Sequence, residues 1–341
     1  MAKCLWLLVM CAVAARAATA QLGDIARISN GKLHVGLDAR NGALVELIDV
    51  GSGSNLVGKA DAGLWEIELA GGRKLLPRDA ESFRWEHPSG EPATVLMTWG
   101  QFKAMPEMRV EVRVRLDQNE PISRWRIGLP GVDGSALRKV HFPRVMKLAR
   151  SEQESLAVPV WMGQITTKPR ELLAGENGKG RRFEWAYPGI LSMQCTAFYG
   201  AGGLGLYAAC DDTEAYRKTI AWFGDGEGGV NCEFVQLPEA VEGAREWTQP
   251  YEVLLGVFHG DWVTVAERYR SWGTNQPWAK ESRLMQRKVP HWVLDTGLWV
   301  WNRGRSEEVL QPATTLQKEL GLPVSVFWHW WHGCAYDAGF P

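Results

Sequence analysis

From Lys32 onward, apolar and polar residues alternate along the chain with a period of two. In LHVGLDARNGALVELID, residues 33–49, the alternation runs on both sides of Asn41-Gly42. That dipeptide takes positive φ readily and predicts a tight hairpin turn. The clearest strand is MRVEVRVRLDQ, residues 108–118: Met108, Val110, Val112, Val114 and Leu116 fall on one face, and Arg109, Glu111, Arg113 and Arg115 on the other. The charged face is the solvated side expected of an antiparallel sheet. Further strands are predicted in ISRWRIGLP, LRKVHFPRV, ILSMQCTAFYG, GGLGLYAACDD, KTIAWFG, VNCEFVQLP and YEVLLGVFHG, divided by Gly, Pro, Asn and Asp. No helical pattern stands out from residue 27 to about 260. Many short strands over that length predict a large antiparallel sandwich across residues 21–260.

At Asp261 the period changes. In DWVTVAERYRSWG, Trp262, Val265, Ala266, Tyr269 and Trp272 recur at helical spacing, Asp261 is placed to cap the first turn and Gly273 to end the helix. Residues 261–289, closing with TNQPWAKESRLMQRKVP up to Pro290, read as a helical linker. Beyond it HWVLDTGLWVW has strand length, PATTLQKELG is a short helix with Pro312 near its first turn, and LPVSVFWHWW is a second apolar strand. Strand, helix, strand with two-sided apolar strands is the parallel βαβ pattern. One such unit cannot close a core, so residues 290–341 are predicted to begin a barrel and not to finish it.

The N-terminus adds a location. Residues 1–20, MAKCLWLLVMCAVAARAATA, carry Lys3 ahead of an apolar run and the small residues Ala18-Thr19-Ala20 before Gln21, as a secretory signal does. The run is shorter than the roughly 20 residues that span a bilayer. The product is therefore expected outside the cytoplasm, secreted or periplasmic, with no membrane segment after cleavage. Removing Lys3 and Arg16 takes Lys plus Arg from 38 to 36 against 39 Asp plus Glu, which gives no reason to expect a nucleic-acid partner. Cys195, Cys210, Cys232 and Cys334 remain, without a CxxC pair, and are expected as buried thiols.

Two GxGxxG matches, at Gly200, Gly202, Gly205 and at Gly224, Gly226, Gly229, run into strand patterns, whereas a dinucleotide site needs a helix there. They are predicted to be hairpin turns. There is no G-x-S-x-G elbow and no P-loop, and no cofactor is implied. His329, His332 and Cys334 lie on a strand pattern that turns i and i+3 to opposite faces, so no metal site is assigned.

The composition does stand out in tryptophan, with 18 in the chain. Surplus Trp serves either as core anchors or as flat platforms for sugar rings. Trp299, Trp301 and Asn302 close the first predicted parallel strand, and Trp328, Trp330, Trp331, His332 and Asp337 follow the second. Ligands gather at the carboxyl ends of parallel strands, and indoles beside His, Asn and Asp match a pyranose with its hydroxyls. Trp301, Asn302, Trp330, His332 and Asp337 are the candidate carbohydrate-binding residues. The opposing possibility is that the alternate indoles only fill a barrel core.

PGILSMQCTAFYGAGGLGLYAACDD, DWVTVAERYRSWGTNQPW and LPVSVFWHWWHGCAYDAGFP together resemble the secreted glycoside hydrolase-like proteins related to endo-α-N-acetylgalactosaminidases and α-galactosidases. The resemblance implies a galactose-mutarotase-like supersandwich, a helical linker and a (β/α)8 catalytic barrel. It further implies retaining hydrolysis with two carboxylates roughly 5 Å apart. In such barrels the carboxylates lie on middle and later strands, beyond Pro341, so no catalytic residue is assigned. Asp337 matches a substrate-binding acid of related barrels. The chain reads as the N-terminal part of an exported glycoside hydrolase, inactive alone. The alternatives are a non-catalytic carbohydrate-binding protein and, ranked last, a mutarotase, for which His34, His87, His141 and His259 show no pairing with a Glu in the sequence.

Overall fold

The computed structural model describes residues 25–58, 63–239 and 241–329, so the signal reading and Trp330, Trp331, His332, Cys334 and Asp337 fall outside the described residues. The chain divides into two compact units, residues 1–269 and 270–341. Among the described residues no helix is long and apolar enough to cross a membrane.

The first unit is mainly β. A ten-stranded sheet runs from Gln164–Thr166 at one edge to Ala80–Glu86 at the other, and a six-stranded sheet from Arg182–Tyr187 to Lys74–Leu75. A three-stranded sheet is formed by Ile25–Ser29, Leu33–Asp38 and Leu44–Asp49. The pairings within them are antiparallel, as the period of two predicts. The two large sheets face each other through aromatic pairs. Trp125 of the ten-stranded sheet meets Phe142 of the six-stranded one edge-on at 6.3 Å, and Phe198 stacks on Trp222 at 5.7 Å. Burying such side chains supplies most of the stability that closes a sandwich.

Local signals work as chemistry requires. Met108, Val110, Val112, Val114 and Leu116 are all buried. Gly42 takes φ +76° in the Asn-Gly turn. Both GxGxxG segments are strand-to-strand turns. In the second, Asp225 Oδ1 accepts from the backbone N–H groups of Glu227 and Gly229, and a Cβ on Gly226 would lie 1.9 Å from the carbonyl oxygen of Gly178. Cys195, Cys210 and Cys232 are buried free thiols, and burial pushes Cys195 up to about 12, which leaves it unreactive at neutral pH.

The helix-free reading of residues 27–260 needs correction. Pro169–Ala174 forms a short helix, with Pro169 in the first turn where its missing N–H costs nothing and Leu173 fully buried. The predicted helix is present as Trp262–Gly273, and Asp261 Oδ1 accepts from the N–H of Val263 as its cap.

In the second unit Leu298–Arg303 and Val324–His329 pair in parallel, joined by a helix Ser306–Leu320. Two boundaries differ from expectation. The stretch 291–301 is strand only from Leu298, because His291–Asp295 makes a turn of helix after Pro290. The connecting helix starts at Ser306, ahead of Pro312. The Glu308 carboxylate caps it by accepting from the Arg305 N–H at 2.8 Å. Pro312 cannot donate to the Glu308 carbonyl four residues back, and the Asn302 side-chain amide takes that place at 3.2 Å. The helix ends at Gly321, φ +65°.

Candidate functional site

The parallel pair fixes which residues share a face. Register sets Trp301 opposite Phe327 and Asn302 opposite Trp328. Asn302 reaches the connecting helix through Glu308, so the alternation turns Trp299, Trp301 and Phe327 to the face away from the helix. There they are exposed, at 52%, 72% and 63%. His329 joins them, its ring 5.5 Å from that of Trp301. Trp299 meets Trp292 at 6.3 Å. The result is an aromatic surface running along the two parallel strands, with Trp301 and the imidazole of His329 toward their carboxyl ends.

Of the candidate residues, Trp301 lies on this surface. Asn302 does not: its amide donates to Glu308, and its oxygen accepts from the Arg303 N–H at 2.8 Å, so its polar atoms serve the backbone. Trp330, His332 and Asp337 belong to the segment outside the described residues. Trp328 turns to the other face and donates from its indole to the Gly304 carbonyl at 2.9 Å.

A second polar cluster, on the six-stranded sheet, was not legible in the sequence. Register places His141 opposite Glu66 of Glu66–Leu69 and Val235 of Val230–Gln236, bringing Glu66, Glu68 and Glu233 around one imidazole. His141 Nδ1 lies 2.7 Å from Glu233 and Nε2 3.3 Å from Glu68. Arg144 donates to Glu233 at 2.8 Å and Arg182 at 2.7 Å. Lys74 pairs with Glu66 and Glu68, Lys139 with Glu68, and Arg182 also with Glu184. Four carboxylates thus meet four permanent cations.

Burial would push the Glu233 carboxyl up, but the hydrogen bond from His141 and the charges of Arg144, His141 and Arg182 outweigh it and hold it at about 2. A carboxylate so acidic and so fully partnered is a poor general base near neutrality. His and Glu do converge, as a mutarotase would need, yet both are already engaged. Ligand atoms of Glu66, Glu68 and His141 lie within 4.8 Å of one another. A divalent cation there would have to displace Lys74 and Lys139 and meet Arg144, so the donor set fits an ion-pair network better than a metal.

Residues 247–341 match a family described as a domain of unknown function, DUF6259. No curated protein matches the chain. Among solved structures the chain is similar to the α-N-acetylgalactosaminidase NagBb from Bifidobacterium bifidum, in its complexes with Gal-NHAc-DNJ and with GalNAc. Each gives a TM-score of 0.64 at 11% identity, over 93% of this chain and 53% of that one. The GH36 α-galactosidase AgaB from Geobacillus stearothermophilus gives 0.49 at 9% identity, over 89% and 49%. The chain thus spans about half the length of these enzymes. At such identity the likeness concerns fold, and the fold of this chain is that of about half of NagBb.

Proposed function

We propose that this chain is the N-terminal part of an exported glycoside hydrolase acting with retention on O-glycosidic bonds of oligosaccharides, polysaccharides or glycans. In this reading residues 21–260 are the supersandwich, 261–289 the linker, and 290–341 the opening of a (β/α)8 barrel whose later strands carry the catalytic carboxylates. One observation carries it: the face of the parallel pair turned away from its helix, where Trp299, Trp301 and Phe327 stand exposed. In a parallel barrel that face becomes the interior, and its carboxyl end is where substrate sits. The fold shared with about half of a glycosidase supports the same reading. Trp301 then forms a platform in the sugar subsite, with Trp330, His332 and Asp337 on its rim.

The test is made on the complete natural product, its extent established by intact mass from the native host. With aryl α-N-acetylgalactosaminide and aryl α-galactoside as probes, it is expected to release the aglycone, with the anomer formed first, read by proton NMR, matching the substrate. The 341-residue chain is expected to release none. Asp337→Ala in the complete protein is expected to raise KM about tenfold or more, the loss of a charged hydrogen bond. A natural product that ends at Pro341, binds oligosaccharides and liberates no reducing ends under any condition would replace this reading with that of a carbohydrate-binding protein.

A further inference from the structure

A cavity of about 800 Å³ opens at one end of the sandwich, where both sheets contribute walls. The turn after Leu204–Asp211 brings Tyr216 and Arg217, the end of Val230–Gln236 brings Gln236, and the chain after residue 246 brings Trp247 and Tyr251. Its volume falls within the ~300–1,000 Å³ common for small-ligand sites. Tyr251 and Gln236 form a buried floor, the phenol donating to the Gln236 side-chain oxygen while the Gln236 amide donates to the Phe142 carbonyl at 3.0 Å. Tyr216, 46% exposed, lies 6.2 Å from Tyr251 with the rings tilted by 31°.

Against this floor lies a buried charge pair. Lys218 and Asp212 form a fully buried ion pair. Such pairs are often less stabilising than apolar residues of equal volume, so one in a sandwich interior calls for a reason. The remaining contacts of Lys218 supply it. Its ammonium donates to the Tyr216 carbonyl at 2.7 Å and to Gln194 at 3.1 Å, and lies 4.4 Å from the centre of the Tyr251 ring and 5.0 Å from that of Tyr187. The pair therefore holds the backbone of Tyr216 and the ring of Tyr251 at the cavity. Between Glu214 and Tyr216, Ala215 is held at φ +56°, a left-handed conformation that residues with a side chain adopt only under constraint. A rigid aromatic floor supported by a costly second layer is the pattern of a preorganised binding site.

The lining also specifies charge. Arg138 and Arg217 are balanced by Glu214 and Glu239. Arg217 and Glu239 have no side-chain partner among the described residues. Aromatic faces combined with both donating and accepting groups at zero net charge suit a ring that presents C–H faces and hydroxyls.

We infer that this cavity binds a neutral oligosaccharide, with the exposed ring of Tyr216, backed by the buried Tyr251, as the stacking face and Arg217, Glu214 and Glu239 addressing its hydroxyls. The site uses no residue of 270–341 and stands apart from the hydrolase reading. The full chain is screened on an array of neutral and of sialylated or sulfated oligosaccharides, and the strongest neutral trisaccharide is titrated by calorimetry. Tyr216→Ala and Arg217→Ala remove exposed side chains and are expected to keep the fold while weakening binding about tenfold or more. Trp161→Ala, which removes an exposed indole outside the cavity lining, is expected to leave it unchanged. Hydrogen exchange in residues 213–217 and 246–251 is expected to slow when the sugar binds. Three results would overturn the inference: no neutral glycan bound, preference for anionic glycans, or full affinity in Tyr216→Ala. The last of these, together with loss of binding in Trp301→Ala, would place the sugar on the open face of the parallel pair instead.

Discussion

Tryptophans of the sandwich core and of the open face of the parallel pair have opposite fates. In the sandwich Trp65, Trp99, Trp125 and Trp222 are wholly buried, whereas after residue 270 Trp292, Trp299 and Trp301 are exposed. The difference follows from strand pairing. Antiparallel sheets tolerate one solvated face, so two of them can close a core by facing each other. Two parallel strands with one helix cover a single face and leave the other bare, along with both edges. Tryptophan surplus in the composition is thus more than one signal: core anchors in the sandwich, exposed indoles on the open face of the parallel pair, and Trp161 and Trp262 exposed outside the sandwich strands.

The sharpest way to break this contrast is to truncate one indole of each kind. Trp222 packs against Phe198, and its indole donates to Thr196 at 3.1 Å. Trp222→Ala is expected to cost about 3–5 kcal/mol of sandwich stability, the range for emptying a large aromatic from a core. Trp301→Ala, on the exposed face, is expected to change the same urea transition by less than about 0.5 kcal/mol. Equal shifts would mean that the two indoles do the same work and that the contrast is false.

Charge sharpens the comparison next. The sandwich carries its buried cluster at Glu233, and its pH dependence has a defined sign. Glu233 titrates at about 2 in the folded chain, below its ordinary value of 4.5. The stabilisation is therefore complete above pH 4.5 and is lost as pH falls toward 2, about 3 kcal/mol at most. Glu233→Gln has no charge to lose and is expected to show a flatter decline in urea midpoint over that window. Parallel declines in the two proteins would remove Glu233 from the account of acid sensitivity.

What the sequence made legible was local. The five-residue apolar face from Met108 to Leu116, the Asn41-Gly42 turn, the two glycine-rich turns and the Asp261 cap each depend on neighbours within a few positions. What escaped it depends on register between distant strands. His141 and Glu233 are 92 residues apart, and a slip of one residue in either strand would turn them to opposite faces. Tyr216 and Trp247 reach one cavity only because the link between the two sheets and the strand Glu246–Thr248, added to the ten-stranded sheet, end at the same place. In the candidate site, Trp301 was legible from its place at a strand end, while the engagement of Asn302 was hidden. It hinges on Pro312, ten positions on.

That engagement gives the smallest and most specific test. If Asn302 serves the carbonyl that Pro312 leaves without a partner, Asn302→Ala should loosen the helix Ser306–Leu320 by about 0.5–1 kcal/mol, read from amide exchange in its first two turns. Pro312→Ala restores an N–H to the Glu308 carbonyl. In that background Asn302→Ala is expected to cost almost nothing, because the backbone now supplies what the side chain did. Additive costs in the double variant would show that Asn302 holds the helix in some other way. Non-additivity would remove it from the list of sugar ligands and leave Trp301 as the described residue of that list facing the open side.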